Sequence, residues 1–219
     1  MEKFIVIDTE TTNSLDDPIV YDVGFAVVDA EGTVYEKHSY VVADIFLDKE
    51  LMSYAYFADK IPQYLDDMRK GTRQIVNTWQ LYKIVRELTR EYDIKAFIAH
   101  NARFDVRVLN STLRYQTKSK RRFFFPYGIP IWDTMAMAND TICKQSNYQR
   151  FCMEHGYMTN HKTPQVRKTA EILWRFLTND NEFEESHTGL EDVAIEAQIF
   201  AECVRRHKKM ARLAELDEE

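Results

Sequence analysis

Phe4-Ile5-Val6-Ile7-Asp8-Thr9-Glu10-Thr11-Thr12 is an apolar run that ends in two carboxylates one residue apart. Such a run reads as a buried strand. Side chains alternate across a strand, so Asp8 and Glu10 project from the same face. Two carboxylates side by side repel. A bound cation, a neighbouring Lys or Arg, or exposure at a strand end would each relieve them, and the pair alone does not choose among these.

Working outward, Ile19 to Val28 is a second apolar stretch, Asp29-Ala30-Glu31-Gly32 a turn, and Thr33 to Val42 a third strand, together a meander. A less regular helical pattern runs from Leu47 to Tyr64. In a clear one, Leu81, Ile84, Val85, Leu88 and Tyr92 fall at i, i+3, i+4, i+7 and i+11. Ala96 to Ala99 is a short buried strand leading into His100-Asn101-Ala102-Arg103-Phe104-Asp105, after which Val106, Leu109 and Leu113 mark a helix. Ile129 to Trp132 reads as a brief fifth strand. Asp133 precedes a helical stretch and reads as its cap. Leu190, Val193, Ala194, Ala197, Phe200 and Val204 define a long closing helix, expected to begin near Thr188. Strands that alternate first with turns and then with helices predict an α/β fold, a mixed five-stranded sheet with helices on both faces.

Composition narrows the classes. With 219 residues and 45% hydrophobic content the chain can bury a full core, and no low-complexity block divides it, so a single domain over 1–219 is expected. No run approaches the ~18 apolar residues of a bilayer span, and the N-terminus lacks a basic segment followed by an apolar one, so neither membrane anchor nor signal peptide is expected. Cys143, Cys152 and Cys203 form no C-x-x-C pair and leave one unpaired in any disulfide scheme, which fits a reducing, cytoplasmic setting. A net charge of −6 argues against a protein that coats nucleic acid non-specifically, since that affinity comes mainly from Lys and Arg on phosphates. Basic residues nevertheless cluster locally, at Arg103, Arg107, Arg114, Lys118, Lys120, Arg121 and Arg122. They read either as a solvated face or as a contact for a strand.

Active sites in such sheets gather at the carboxyl ends of central strands. Asp8 and Glu10 lie at one such end, Asp105 just after another, and Asp192 on the closing helix with His187 five positions before it. Singly, Asp105 reads as a helix cap, Asp192 as a solvent-facing residue and His187 as a loop histidine. Cys143, Cys152, His155 and His161 offer a second donor set, but spacings of nine, three and six match no common zinc pattern.

The segments DTETT (Asp8 to Thr12), HNARFD (His100 to Asp105) and HTGLED (His187 to Asp192) resemble, in order, the three motifs of the DEDD superfamily of 3′→5′ exonucleases. The histidine subgroup is the better match, because the tyrosine variant places Tyr four residues before the last Asp, where this chain has Thr188. That family includes polymerase proofreading exonucleases, ribonuclease T and oligoribonuclease. Asn13 stands where many members have Gly, and Asn tolerates a left-handed turn.

The resemblance implies a ribonuclease H-like fold, two Mg²⁺ or Mn²⁺ ions, and release of nucleoside 5′-monophosphates from a single-stranded 3′ end. DNA is the expected polymer and RNA the alternative. A catalytically inactive nucleic-acid-binding module is a further reading, and a DNA polymerase or replication complex a candidate partner. The implied roles are Asp8 bridging both ions, Glu10 and Asp192 completing the seat of one, Asp105 serving the other, and His187 acting as general base. Thr11, Thr12, Asn101 and Phe104 are implied near the terminal nucleotide. The chemistry is consistent: carboxylates are hard oxygen ligands suited to Mg²⁺ or Mn²⁺ rather than zinc, and two such ions can serve phosphodiester hydrolysis.

Overall fold

The computed structural model describes residues 1–13, 17–120, 122–214 and 216. The meander forms as the sequence pattern predicts. Strand β1 (Lys3–Thr12) pairs antiparallel with β2 (Ile19–Asp29), and β2 with β3 (Val34–Val42). Short helices α1 (Ala43–Phe46) and α2 (Lys49–Met52), a 3-10 turn (Ala58–Lys60) and α3 (Ile61–Lys70) fill the region read as an irregular helix. Strand β4 (Gln74–Val76) follows, then α4 (Thr78–Glu91), β5 (Phe97–Ala99), α5 (Ala102–Thr117) and β6 (Ile131–Asp133). Helices α6 (Thr134–Asp140), α7 (Ser146–Glu154), α8 (Ala170–Thr178) and α9 (Gly189–Arg205) complete the chain.

The sheet order is β4-β3-β2-β1-β5-β6, with β5 parallel to β1, β6 parallel to β5 and β4 parallel to β3. The mixed sheet is therefore six-stranded rather than five-stranded. The added strand is an edge of three residues whose Ile75 is 45% exposed, so it carries almost none of the burial pattern by which strands are read.

Period-two alternation along β1 divides the core. Ile5 and Ile7 face a cluster built with α4 and α5, through Leu81, Val85, Leu109 and Leu113. Phe4 and Val6 face the opposite cluster, with Val193, Ala197 and Phe200 of α9. By the same parity Asp8 and Glu10 look toward α9 and Thr9 toward α5. A register shift between Glu10 and Thr11 marks a bulge where the strand leaves the core, a common device beside functional sites.

The start of α9 lies against the sheet, backbone to backbone. Gly24 of β2 sits opposite Asp8 in the ladder. A Cβ placed on Gly24 would fall 2.0 Å from the carbonyl carbon of Gly189, and one on Gly189 would fall 2.4 Å from the Gly24 nitrogen. Only glycines permit this approach. The helix N-terminus is then capped from across the fold, since the Gly189 amide donates to Asp22 Oδ2 at 3.0 Å. Arg73, itself buried, donates to Asp22 Oδ1, so the capping carboxylate is neutralised from behind.

Gly24→Ala should lower unfolding free energy by about 1–3 kcal/mol, the usual range for an added methyl with no room, in urea titration. Unchanged stability would show that α9 does not rest on β2 in this way.

Candidate active site

Helix α9 brings two residues of the third motif to β1. Ligand atoms of Glu10, His187 and Asp192 all lie within 4.8 Å of one another. Asp192 is fixed by its own helix start, accepting from the Thr188 amide at 3.1 Å and the Ser186 hydroxyl at 3.4 Å. His187 precedes the helix with φ of 52°. Its ring stacks on Phe57 at 4.2 Å between centroids with planes 8° apart, which sets its orientation.

The second motif delivers Asp105 from the first turn of α5. The Thr9 hydroxyl donates to Asp105 Oδ1 at 2.8 Å, which ties the helix to β1 beside Asp8. Asn101 adopts the left-handed conformation with φ of 64°, and its amide donates to Asp133 Oδ1 at 3.0 Å. The same oxygen accepts the Met135 amide at 2.8 Å, so Asp133 is the cap of α6 read from the sequence. His100 is not part of the cluster. It donates through Nε2 to the Lys168 carbonyl and receives the Thr134 hydroxyl at Nδ1, and burial lowers its pKa.

The sequence reading missed a fifth carboxylate. Glu196 lies one turn beyond Asp192 on the buried face of α9, is 4% exposed, and leaves Oε2 with no hydrogen-bond partner. Asp8 experiences it more strongly than any other acid. A charge inside the stripe of Val193, Ala197 and Phe200 is the signal that would have found it. Glu185 approaches from the preceding loop and adds to the repulsion on Glu10.

The carboxyl pKa values reflect this crowding. Burial first, then Glu196, Asp105 and Glu10, push Asp8 well above the ordinary carboxylate range. Burial and Asp192 raise Glu10 to about 9. Burial raises Asp105 to about 7 against the Thr9 hydrogen bond, and Asp192 to about 6 against those from Thr188 and Ser186. Burial also raises Glu185 to about 7. By contrast burial lowers His187, assisted by Lys60 and opposed by Glu171, so its imidazole is neutral at pH 7. Packed hard oxygens and an orphaned buried Oε2 together fit a divalent cation.

Other expectations fare differently. The Thr12 hydroxyl donates to the Leu51 carbonyl and Thr11 O accepts the Tyr56 amide, so both threonines are engaged by the 51–56 segment. Phe104 packs its ring against the α4–α5 core. Asn13 is not left-handed; Asn101 and His187 are. The zinc alternative fails geometrically: Cys143 and Cys152 are free and buried in the α9-side core, and His155 lies at the surface with its ring tilted against Phe151. Among the described residues, the one donor group of suitable geometry is Glu10, His187 and Asp192. No helix among them is long and apolar enough to cross a membrane.

No protein-family model matches the chain. Over 180 residues, 80% of this chain and 74% of the relative, it is 24% identical to DNA polymerase III subunit epsilon of Treponema pallidum (strain Nichols). A full-length 3′-exonuclease superposes with a TM-score of 0.62 over 96% of this chain and 85% of that one, at 11% identity. The fold is thus one that solved exonucleases share. E. coli exonuclease I in complex with a 5cy-dT13 oligonucleotide shares it, with a TM-score of 0.59 at 14% identity over 94% of this chain, which spans 41% of that longer one. Cell-death related nuclease 4 does so at 0.54 and 10% identity, over 97% of this chain and 67% of that one.

The raised carboxyl pKa values carry a sign. Between the unfolded value of about 4 and the folded values, the native state holds protons that the unfolded chain has lost. Stability without metal should therefore fall as pH rises from about 5 to about 9. Thermal melts in EDTA should show this decline, and millimolar Mn²⁺ should raise Tm most at the alkaline end. A flat profile indifferent to Mn²⁺ would contradict the crowded-acid account.

Proposed function

We propose that this chain is a metal-dependent 3′→5′ exonuclease of the histidine subgroup, hydrolysing single-stranded nucleic acid, DNA by preference, to nucleoside 5′-monophosphates. The observation that carries the reading is the meeting of acids from three separate segments, Asp8 and Glu10, Asp105, and Asp192, with a neutral histidine beside them. The likeness to a polymerase subunit and to an exonuclease crystallised with an oligonucleotide supports the substrate class, and association with a DNA polymerase or replication complex is part of the proposal.

Asp8, Glu10, Asp105 and Asp192 would hold two Mg²⁺ or Mn²⁺ ions. When bound, such ions neutralise phosphate charge, acidify a water and stabilise the leaving oxygen. Asp8, central in the cluster, would contribute to holding both ions, with Glu10 and Asp192 on one side of it and Asp105 on the other. His187 takes the proton of the attacking water. Its burial keeps the ring unprotonated and the Phe57 stack holds it in place. Asn101, exposed at the start of α5, and the backbone beyond Glu10 border the 3′ terminus.

The roles separate by mutation. Asp8→Ala, Glu10→Ala, Asp105→Ala and Asp192→Ala should each abolish hydrolysis of 5′-labelled single strands while the chain stays folded. His187→Ala should lower kcat by about 10²–10⁴-fold with Mn²⁺ affinity, read by calorimetry, little changed. A covalently closed single-stranded circle should survive. Degradation of the circle as fast as its linear form would make the protein an endonuclease, and near-parental kcat in His187→Ala would remove the histidine from the mechanism.

A further inference from the structure

Glu196 lies outside the three motif segments, one turn beyond Asp192 on the face of α9 that rests on the sheet, between Val193 and Phe200. It is 4% exposed, and its Oε2 has no hydrogen-bond partner. An apolar side chain would pack there without the cost of burying a carboxyl in this condition. The charges that act on it are acids, Asp105 most and then Asp192 and Glu185. An oxygen left open among carboxylates calls for a cation. The basic residues around α5 do not border the cluster: Arg103, Arg107, Arg114 and Arg122 line a cavity that none of the five acids lines. Arg121, grouped with them in the sequence, lies outside the described residues.

The five acids divide between the two flanks of β1. Glu10 faces Asp22 of β2 in the ladder, and the Asp22 charge is felt by both Glu10 and Asp192. These two acids therefore stand toward β2, where with His187 they place three donors within 4.8 Å of one another. The other flank of β1 is β5. Asp105 belongs to that side, carried by the helix that follows β5 and bonded by the Thr9 hydroxyl. Glu196 belongs there too. The backbone amide of His100, the residue after β5, donates to its carboxyl, and Glu196 is the acid that Asp8 feels most. The acids that Glu10 feels most are instead Asp192 and Asp22.

We propose that Glu196 helps to hold the ion on the β5 side, as a third carboxylate beside Asp8 and Asp105. The proposal rests on the exonuclease reading for the expectation of two ions. Held by two carboxylates alone, an octahedral Mg²⁺ or Mn²⁺ leans on substrate phosphate to complete its shell and balance its charge. A third carboxylate lessens that dependence, because affinity rises with the number of charged ligands. Both ions should then be seated before a strand arrives.

Ion binding can be measured without catalysis. Mn²⁺ is titrated into the strand-free protein, with free Mn²⁺ counted by electron paramagnetic resonance and affinities taken from calorimetry. The parent should bind two ions. Glu196→Gln keeps the shape and removes the charge, so it should bind one ion as the parent does and the other roughly 10–100-fold more weakly. Glu10→Gln should weaken the opposite ion, and the double variant both. Melts in EDTA should show Glu196→Gln at least as stable as the parent, since a buried charge is gone. Two ions bound with parental affinity in Glu196→Gln would overturn the proposal, as would a parent that binds fewer than two ions without a strand. Lower stability in EDTA together with weakening of both ions would mark Glu196 as structural and overturn it as well. If Glu196→Gln loses one ion as described but the parent releases no nucleotide from a labelled strand in Mg²⁺, the exonuclease reading fails and the role of Glu196 in the seat stands.

Discussion

Two backbones in contact, at Gly24 of β2 and Gly189 of α9, set the position of everything chemical in this protein. Because Gly24 faces Asp8 across the ladder, the helix that rests on it places its first two turns over the carboxylate end of β1. Asp192 and Glu196 come down on the buried side of that helix, and His187 hangs from the loop that feeds it. A side chain at either glycine would lift the helix and separate the third motif from the first. The Asp22 carboxylate, accepting from the Gly189 amide and backed by Arg73, locks the arrangement from β2.

The acids gathered in this way make the site costly without a counter-charge. Asp8, Glu10, Asp105, Asp192 and Glu196 are all pushed toward the protonated form, burial being the largest cause in each. A fold does not need five carboxyls at one strand end, and apolar residues there would be more stable. Such strain at a single locus is a mark of function. Among the described residues the cationic side chain buried nearby, Arg73, is held by Asp22, Asp67 and Glu191.

Much of this was legible in the sequence, for identifiable reasons. β1 to β3, α4, α5 and α9 carry long periodic patterns, and the structure keeps their bounds to within a few residues. β4 escaped because three residues at a half-exposed edge leave no pattern. The four acids and His187 could be grouped because each sits in a short local motif. The pairings that support them could not, because they join residues far apart in the chain: Phe57 with His187, Arg73 with Asp22, Thr9 with Asp105. Glu196 was overlooked for another reason. The apolar positions of the closing helix define its buried face, and a charge on that face is visible only after the face has been drawn.

The central claim is that the acids of β1, α5 and α9 together form a seat for divalent cations. Anomalous diffraction from crystals soaked in Mn²⁺ tests it most directly. The account predicts two peaks, both within ligand distance of Asp8, one also near Glu10 and Asp192 and the other near Asp105. Manganese absent from the cluster at saturating concentration, or bound only elsewhere on the molecule, would contradict it.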